Sequence, residues 1–465
     1  MGGQTVTYSC LDERQRRLTG LLAARGLRPG DRIAVLASNR PEVLEVTIGA
    51  LRTGIVPVPV NALLAPAEVR FLLEDSGAAW LFADRSIEAP PCAHGVLTFG
   101  EPYERALAEV KPEPRLPGVA LGRPMHYTSG TTGVPKGVWV EPKEEAAALA
   151  ESRRFRRLWG ISGEDVHLVC SPLTHSAPHR FALRTLEAGG TVVLQPKFDA
   201  RETLAAISLY GVTSTFMVPT HLERIMGLED ELNGFELSTM RLLAHAGAAI
   251  RPETKRKVLG VFPFDSVWEF YGSTEGQATR ISTQEWLRKP GSVGRALPGA
   301  RIVIKSDEGR PLPPGEIGHV WVADPAAERF KYWGDDAKTA EAWDEDGAFT
   351  VGDMGHLDED GYLFLAGRRH DLIISGGVNV YPQEVERALL EHPLVAEAAV
   401  YGEPDEEWGE RVCAIVVPAS ESFDAAELDR WARARLAGYK RPRKVEVVTA
   451  LPRTPTGKIK RAPPR

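Results

Sequence analysis

Between Asp12 and Phe82 the chain alternates repeatedly between helix-like and strand-like apolar spacing. Asp12 to Ala24 places Leu18, Leu21 and Leu22 on one face, with Arg14, Arg16 and Arg17 mostly off it. Gly26 stops that helix. Arg32 to Ala37 reads as a buried strand, Glu42 to Arg52 as a helix, and Val56 to Val60 as a short extended segment. Pro66 to Ser76 reads as a helix with proline in its first turn, where the missing N–H costs little, and Ala79 to Phe82 as a strand. Strands separated by helices need crossovers, which implies α/β layers over a mostly parallel sheet. The rhythm resumes with a helix over Lys143–Arg157 and strands over Asp165–Cys170 and Thr191–Leu194. A helix over Thr203–Tyr210 follows, then strands over Ser214–Val218 and Arg241–Ala246.

From Arg301 the texture changes to short strands with turn residues: Arg301–Ile304, the turn Asp307-Glu-Gly309, and Ile317–Val322. Past Gly367 the pattern is a helix over Gln383–Glu391, strands over Val395–Tyr401 and Arg411–Val417, a helix over Ala425–Leu436 and a strand over Lys444–Val448. The expected division is a large N-terminal α/β domain over 1–367, its β-rich subdomain at about 295–367, and a small α+β C-terminal domain over 368–465. The chain's 465 residues suffice for more than one domain. A net charge of −7 gives no basic footprint, which disfavours nucleic acid as a partner. Cys10, Cys92, Cys170 and Cys413 show no Cys-x-x-Cys spacing, which argues against a disulfide framework or a cysteine-rich metal site. There is no charged-then-apolar start, and no stretch nears the ~20 apolar residues of a spanning helix. These features lead to the expectation of a soluble cytoplasmic protein.

Four stretches carry chemistry. Tyr127–Gly137 packs hydroxyls and glycines around one lysine. Gly130, Gly133 and Gly137 let the backbone approach an anion closely. Thr128, Ser129, Thr131 and Thr132 add donors, successive N–H groups can form a nest, and Lys136 adds a mobile charge. This is a polyphosphate cradle, but a Walker loop needs Ser or Thr after its lysine, and here Gly137 follows. In Glu269–Glu275, Tyr271 can stack on a purine and Gly272 opens a turn. Thr274 can donate to an α-phosphate oxygen, and Glu275 is a hard oxygen ligand suited to Mg²⁺. Asp353, after Gly352 in a turn, can accept both ribose hydroxyls. Lys458 follows Thr-Gly close to the C-terminal end of the chain.

The order Ser-Gly-Thr-Thr-Gly-x-Pro-Lys-Gly over 129–137 resembles the phosphate loop of the adenylate-forming (AMP-binding) superfamily, and Tyr-Gly-x-Thr-Glu over 271–275 is similar to its second motif. The likeness runs nearly end to end, including Asp405–Glu410, and is of acyl-CoA synthetase (fatty-acid–CoA ligase) type. It implies an ATP-dependent acyl-CoA ligase that uses ATP, Mg²⁺ and coenzyme A. It implies that Asp353 and Arg368 reach the ribose, with Arg368 also near phosphate, and that the turn at Gly247 and Ala248 borders the ligands. Lys458 would bridge the acid's carboxylate and the α-phosphate. The small C-terminal domain would be mobile, turning about Arg369–His370 and bringing Gly376 and Gly377 to the pantetheine. His175 would flank the carboxylate or gate the CoA tunnel, and His179 would be structural or at the rim.

Three departures from the family pattern stand out. The lead-in before the first helix is short, which bears on N-terminal packing or dimerisation; His370 replaces Asp or Lys at the hinge; Val378 replaces Glu after the glycine pair. The segment Thr215–Pro219 lacks the aspartate of amino-acid-activating relatives, and a buried ammonium without a counter-ion is costly. Phe216, Met217, Val218, Ala246, Ala248 and Ala249 suggest an apolar pocket, with no cation marking a dicarboxylate site. The expected acid is a medium- or long-chain fatty acid or a bulky cyclic acid. The basic runs Arg153–Arg157 and Lys440–Lys444 read as solvated faces, with the CoA 3′-phosphate as an alternative partner. Delivery to a carrier-protein pantetheine is the alternative to free CoA, and a homodimer and peripheral membrane contact both stay open. A non-catalytic binder is disfavoured because Lys136, Thr274, Glu275, Asp353, Arg368 and Lys458 occur together.

Overall fold

The computed structural model describes residues 3, 5–64, 66–87, 94–113, 120–128, 135–326, 329–368, 371–375, 378–405, 409–420, 423–436, 438–453 and 459–462. By its contacts the chain forms two compact units, residues 1–290 with 326–342 and residues 291–325 with 343–465.

The first unit opens with the helix Tyr8–Ala24, whose N-cap Thr7 accepts a hydrogen bond from the Cys10 N–H. The amphipathic stripe read from the sequence is its buried face: Leu18, Leu21 and Leu22 join Ile33, Val46 and Phe82 in one core. Each such leucine contributes about 1.5–3 kcal/mol of burial. A parallel sheet runs Val56–Val60, Arg32–Leu36, Trp80–Ala83, Gly95–Thr98. A second sheet runs Thr191–Leu194, Val166–Val169, Ser214–Met217, Leu242–His245, Val267–Gly272, Gln277–Ser282. Its strands are parallel except the last, which returns antiparallel. Ser214–Met217 and Leu242–His245 are buried at every position, the signature of a parallel sheet covered on both faces. The helix Ala200–Tyr210 that crosses between strands ends on Gly211 in the left-handed region at φ 58°. A third, antiparallel sheet joins His126–Thr128, Lys136–Val140 and Phe330–Tyr332.

The second unit holds the antiparallel sheet Arg301–Lys305, Gly318–Ala323, Asp353–Leu357, Leu363–Arg368. It also holds a sheet of Val378–Val380, Ile373–Ser375, Gly409–Pro418 and Val395–Asp405, with Lys444–Val447 parallel to Gly409–Pro418. The helices Pro382–Leu390 and Ala425–Arg435 cover this sheet through Val385, Leu389, Leu428 and Ala432. No described helix is long and apolar enough to cross a membrane.

Candidate active site

The hairpin His126–Thr128/Lys136–Val140 ends on the ladder pair Thr128↔Lys136, so both ends of the glycine-rich segment are anchored in a sheet. Ser129, Gly130, Thr131, Thr132 and Gly133 lie outside the described residues. A Cβ at Gly137 would stand 3.2 Å from the side chains of Tyr127 and Trp333, so glycine lets this hairpin pack against its aromatic neighbours. The Lys136 ammonium lies 5.3 Å from the ring centre of Tyr332. Burial, and secondarily Lys338, push the Lys136 pKa down.

Tyr332 is the residue the sequence did not reveal. It sits on the strand Phe330–Tyr332, opposite Val138 of the hairpin. Its hydroxyl donates to Glu275 Oε1 at 2.9 Å. One side chain thus stands between the cation of the phosphate hairpin and the carboxylate of the Tyr271–Glu275 motif. Glu275 is 7% exposed, yet it sits in a turn with the Lys136 charge nearby. Mg²⁺ takes one or two carboxylates and completes its shell with phosphate and water, which this hard, oriented carboxylate fits.

The strand Val267–Gly272 delivers the motif, and its pairing shifts register between Tyr271 and Gly272. A Cβ at Gly272 would meet the Gln277 Cα and the Gly276 carbonyl at 2.9 Å, so only glycine permits this turn. Tyr271 stands half-buried at the strand end. The Thr274 hydroxyl lies 3.4 Å from that of Ser176, and Arg123 donates to the Thr274 carbonyl at 3.4 Å. His175 is the exposed N-cap of the helix Ser176–Ala188 but makes no side-chain cap bond. Gly247, at φ +94°, and Ala248 form an exposed turn after Leu242–His245.

The apolar candidates divide between the two faces of the sheet. Phe216 and Ala246 pack with Trp159, Phe181 and Phe270. Met217 points the other way, into a core with Leu168, Ile207 and Leu222, and so cannot line the same pocket. Ala248 and Ala249 are exposed. A small recess of about 20 Å³, room for about one water, does lie beside the motif, walled by Phe155, Phe181 and Phe270 and edged by Ser176, Arg180 and Gln277. Arg180 therefore places a cation beside this recess, which the apolar residues read from the sequence do not mark.

In the second unit, Asp353 and Arg368 are cross-strand partners, so the backbone sets the two ribose candidates opposite each other. Asp353 is 9% exposed and follows Gly352 at φ +80°. Lys458, Gly376, Gly377 and His370 lie outside the described residues.

His179 is buried with its Nδ1 3.4 Å from His126 Nε2. It is structural rather than at a rim. Burial lowers the pKa of His167, His179 and His221 to about 4 in each case. The unfolded chain protonates these rings below about 6.5, whereas the folded chain holds them neutral. The unfolded state thus binds more protons between these limits, and stability rises with pH there. Each contribution is complete above about 6.5 and shrinks by about 1.4 kcal/mol per unit as pH falls toward 4. Urea midpoints of the first unit should fall clearly from pH 7.5 to 5.5. An unchanged midpoint would contradict the neutral buried rings.

The family profile "AMP-binding enzyme" matches residues 1–330, and "AMP-binding enzyme C-terminal domain" matches residues 384–458. The chain is 36% identical to the fatty acid–[acyl-carrier-protein] ligase ScoC of Streptomyces coeruleorubidus, over 99% of this chain and 91% of that protein. It is 35% identical to the indoleacetate–CoA ligase of Aromatoleum aromaticum, over 98% of this chain and 92% of that protein. Among solved structures, o-succinylbenzoate CoA synthetase from Bacillus subtilis with its acyl-adenylate intermediate superimposes with a TM-score of 0.87 at 31% identity, covering 99% of this chain and 93% of that one. The same enzyme with ATP and magnesium gives 0.86, at 31% identity and with 99% and 94% covered.

Proposed function

The chain belongs to the AMP-binding enzyme family, of the AMP-forming acid–CoA ligase type, and from that premise we propose that it activates a fatty or bulky apolar carboxylic acid as its adenylate and passes the acyl group to CoA. ATP, Mg²⁺ and CoA are its co-substrates and metal. The observation that carries the site assignment is the Lys136–Tyr332–Glu275 arrangement, a cation and a carboxylate held either side of one tyrosine.

In the first step a carboxylate oxygen attacks the α-phosphorus in line, and the bond to pyrophosphate breaks. Thr128 to Lys136 take the β- and γ-phosphates, and the Thr274 hydroxyl and Lys458 hold the α-phosphate oxygens. Glu275 is the residue that would hold Mg²⁺, which screens triphosphate charge when bound. Tyr271 stacks on the adenine, the turn at Gly247 and Ala248 borders it, and Asp353 with Arg368 takes the ribose. His175 flanks the incoming carboxylate. In the second step the 368–465 domain turns about 369–370, withdrawing Lys458 and bringing Gly376 and Gly377 to the pantetheine. The CoA sulfur attacks the acyl carbonyl, and AMP leaves with the electron pair of the broken C–O bond.

The aromatic wall of Phe155, Phe181 and Phe270 beside the motif favours an apolar acid. The likeness to ScoC supports a second reading, in which a carrier-protein pantetheine replaces CoA. Supplying CoA or holo-acyl carrier protein to enzyme charged with acid and MgATP separates the two. Acyl-CoA accumulating together with AMP is expected. Acylation of the carrier with CoA left untouched would replace the first reading with the second.

A further inference from the structure

We propose that Lys255 is a positioning residue: its buried ammonium ties together the ends of the two strands that carry the Gly247–Ala248 turn and the Tyr271–Glu275 motif, and so sets the shape of the crevice that takes the adenine of ATP. The inference rests on the nucleotide-binding role proposed above.

Lys255 belongs to the helix Pro252–Val261, which crosses between the strands Leu242–His245 and Val267–Gly272. It is among the largest fully buried side chains of the protein, at 1% exposed. Its ammonium donates to His245 Nε2 at 2.6 Å and to Glu269 Oε2 at 2.7 Å. Both acceptors are buried, and they are neighbours in the parallel ladder. One cation thus joins a helix to both of the strands it connects. Each tie sits just before a segment assigned to the nucleotide. His245 precedes Gly247 by two residues, and Glu269 precedes Tyr271 by two. A two-residue step keeps Glu269 and Tyr271 on one face of their strand, and the register shifts only after Tyr271. In open α/β sheets ligands bind beyond the carboxyl ends of the strands, which is where this brace stands.

Stability alone does not account for this cluster. Desolvating an ion pair costs about as much as the pair returns, and apolar side chains of similar volume often serve as well or better. His245 adds a cost of its own. Burial, and secondarily Lys255, hold its pKa well below the ordinary histidine value, so the ring stays neutral. Its Nε2 accepts from the ammonium, which leaves the ring proton on Nδ1. That Nδ1 is buried and finds no hydrogen-bond partner among the described residues, which is unfavourable. What the arrangement supplies is direction. Two short, charge-assisted bonds fix where each strand end stands, whereas apolar contacts would hold the same elements without fixing their angle. The ammonium also lies 5.3 Å from the ring centre of Trp286, which limits where it can move.

The test is calorimetric titration of AMP into the full-length parent and three variants, because the stoichiometry counts folded protein and the affinity is read on that fraction alone. His245→Leu cuts the tie to the strand of the Gly247–Ala248 turn and leaves the Lys255–Glu269 pair in place. It should weaken AMP binding about 2–30-fold, the range for a residue that acts through others. His245→Gln restores an acceptor for the ammonium and should recover most of that loss. Lys255→Met combined with Glu269→Leu removes both charges together, so it should melt close to the parent yet weaken AMP as His245→Leu does. The KM for ATP should rise by the same factors with kcat at saturating ATP little changed. Folded variants that bind AMP as the parent does, or a His245→Gln protein no better than His245→Leu, overturn the assignment and leave the ligase intact. A parent that binds neither AMP nor ATP would remove the nucleotide-site reading itself, and this inference with it.

Discussion

Replacing Lys458 with alanine is expected to slow acyl-adenylate formation by about 10²–10³-fold, the usual cost of losing one positioned charge-stabilising group. Thioester formation from supplied acyl-adenylate should stay close to the parent rate. The asymmetry follows from the proposed division of labour. Charge builds on the α-phosphate only while pyrophosphate is leaving, and a cation bridging carboxylate and phosphate acts there alone. On this proposal the reacting centre is then the acyl carbonyl, and Lys458 takes no part in the second step. Single-turnover measurements of the two half-reactions check this. Equal loss in both would show that Lys458 supports folding or general binding rather than the first step.

Glu275→Gln should reduce adenylation by about 10²-fold or more and move the Mg²⁺ dependence to higher concentration. An amide keeps the size of the side chain but weakens it as a hard anionic ligand. Tyr332→Phe provides the graded companion. It removes the 2.9 Å bond to the Glu275 carboxylate while keeping the ring beside Lys136. A hydrogen bond to a charged group is worth about 1.5–3 kcal/mol, so the loss should be about 10–100-fold. The same direction of shift in the Mg²⁺ titration should appear in both variants. A Tyr332→Phe enzyme with an unchanged metal profile would separate Tyr332 from the metal site. A Glu275→Gln enzyme of full activity would remove Glu275 from it.

The layered α/β plan was legible because each element announces itself locally. The leucine stripe of the first helix, the glycine stops and the solid apolar strands over 214–217 and 242–245 need no distant partner to be read. What escaped depends on which distant residues meet. Tyr332 belongs to a three-residue strand, and its partner Glu275 is 57 positions away, so neither spacing nor composition marks it. Phe216 and Met217 are both buried, and in a strand covered on both faces alternation cannot say which side holds the ligand. Arg180 was hidden by an unread helix. Pro178 and two histidines obscure the start of Ser176–Ala188, although proline is tolerated in a first turn. Once the helix is placed, Arg180 falls one turn from Ser176 and the recess acquires its charge.

The most direct test of the account is pyrophosphate release from MgATP across a panel of cyclic, aromatic, dicarboxylic and fatty acids, with and without CoA. Acid-dependent release that CoA accelerates, with AMP and acyl-CoA formed in step, is the predicted result. Release that no acid stimulates, or turnover that yields ADP and phosphate in place of AMP and pyrophosphate, would contradict it.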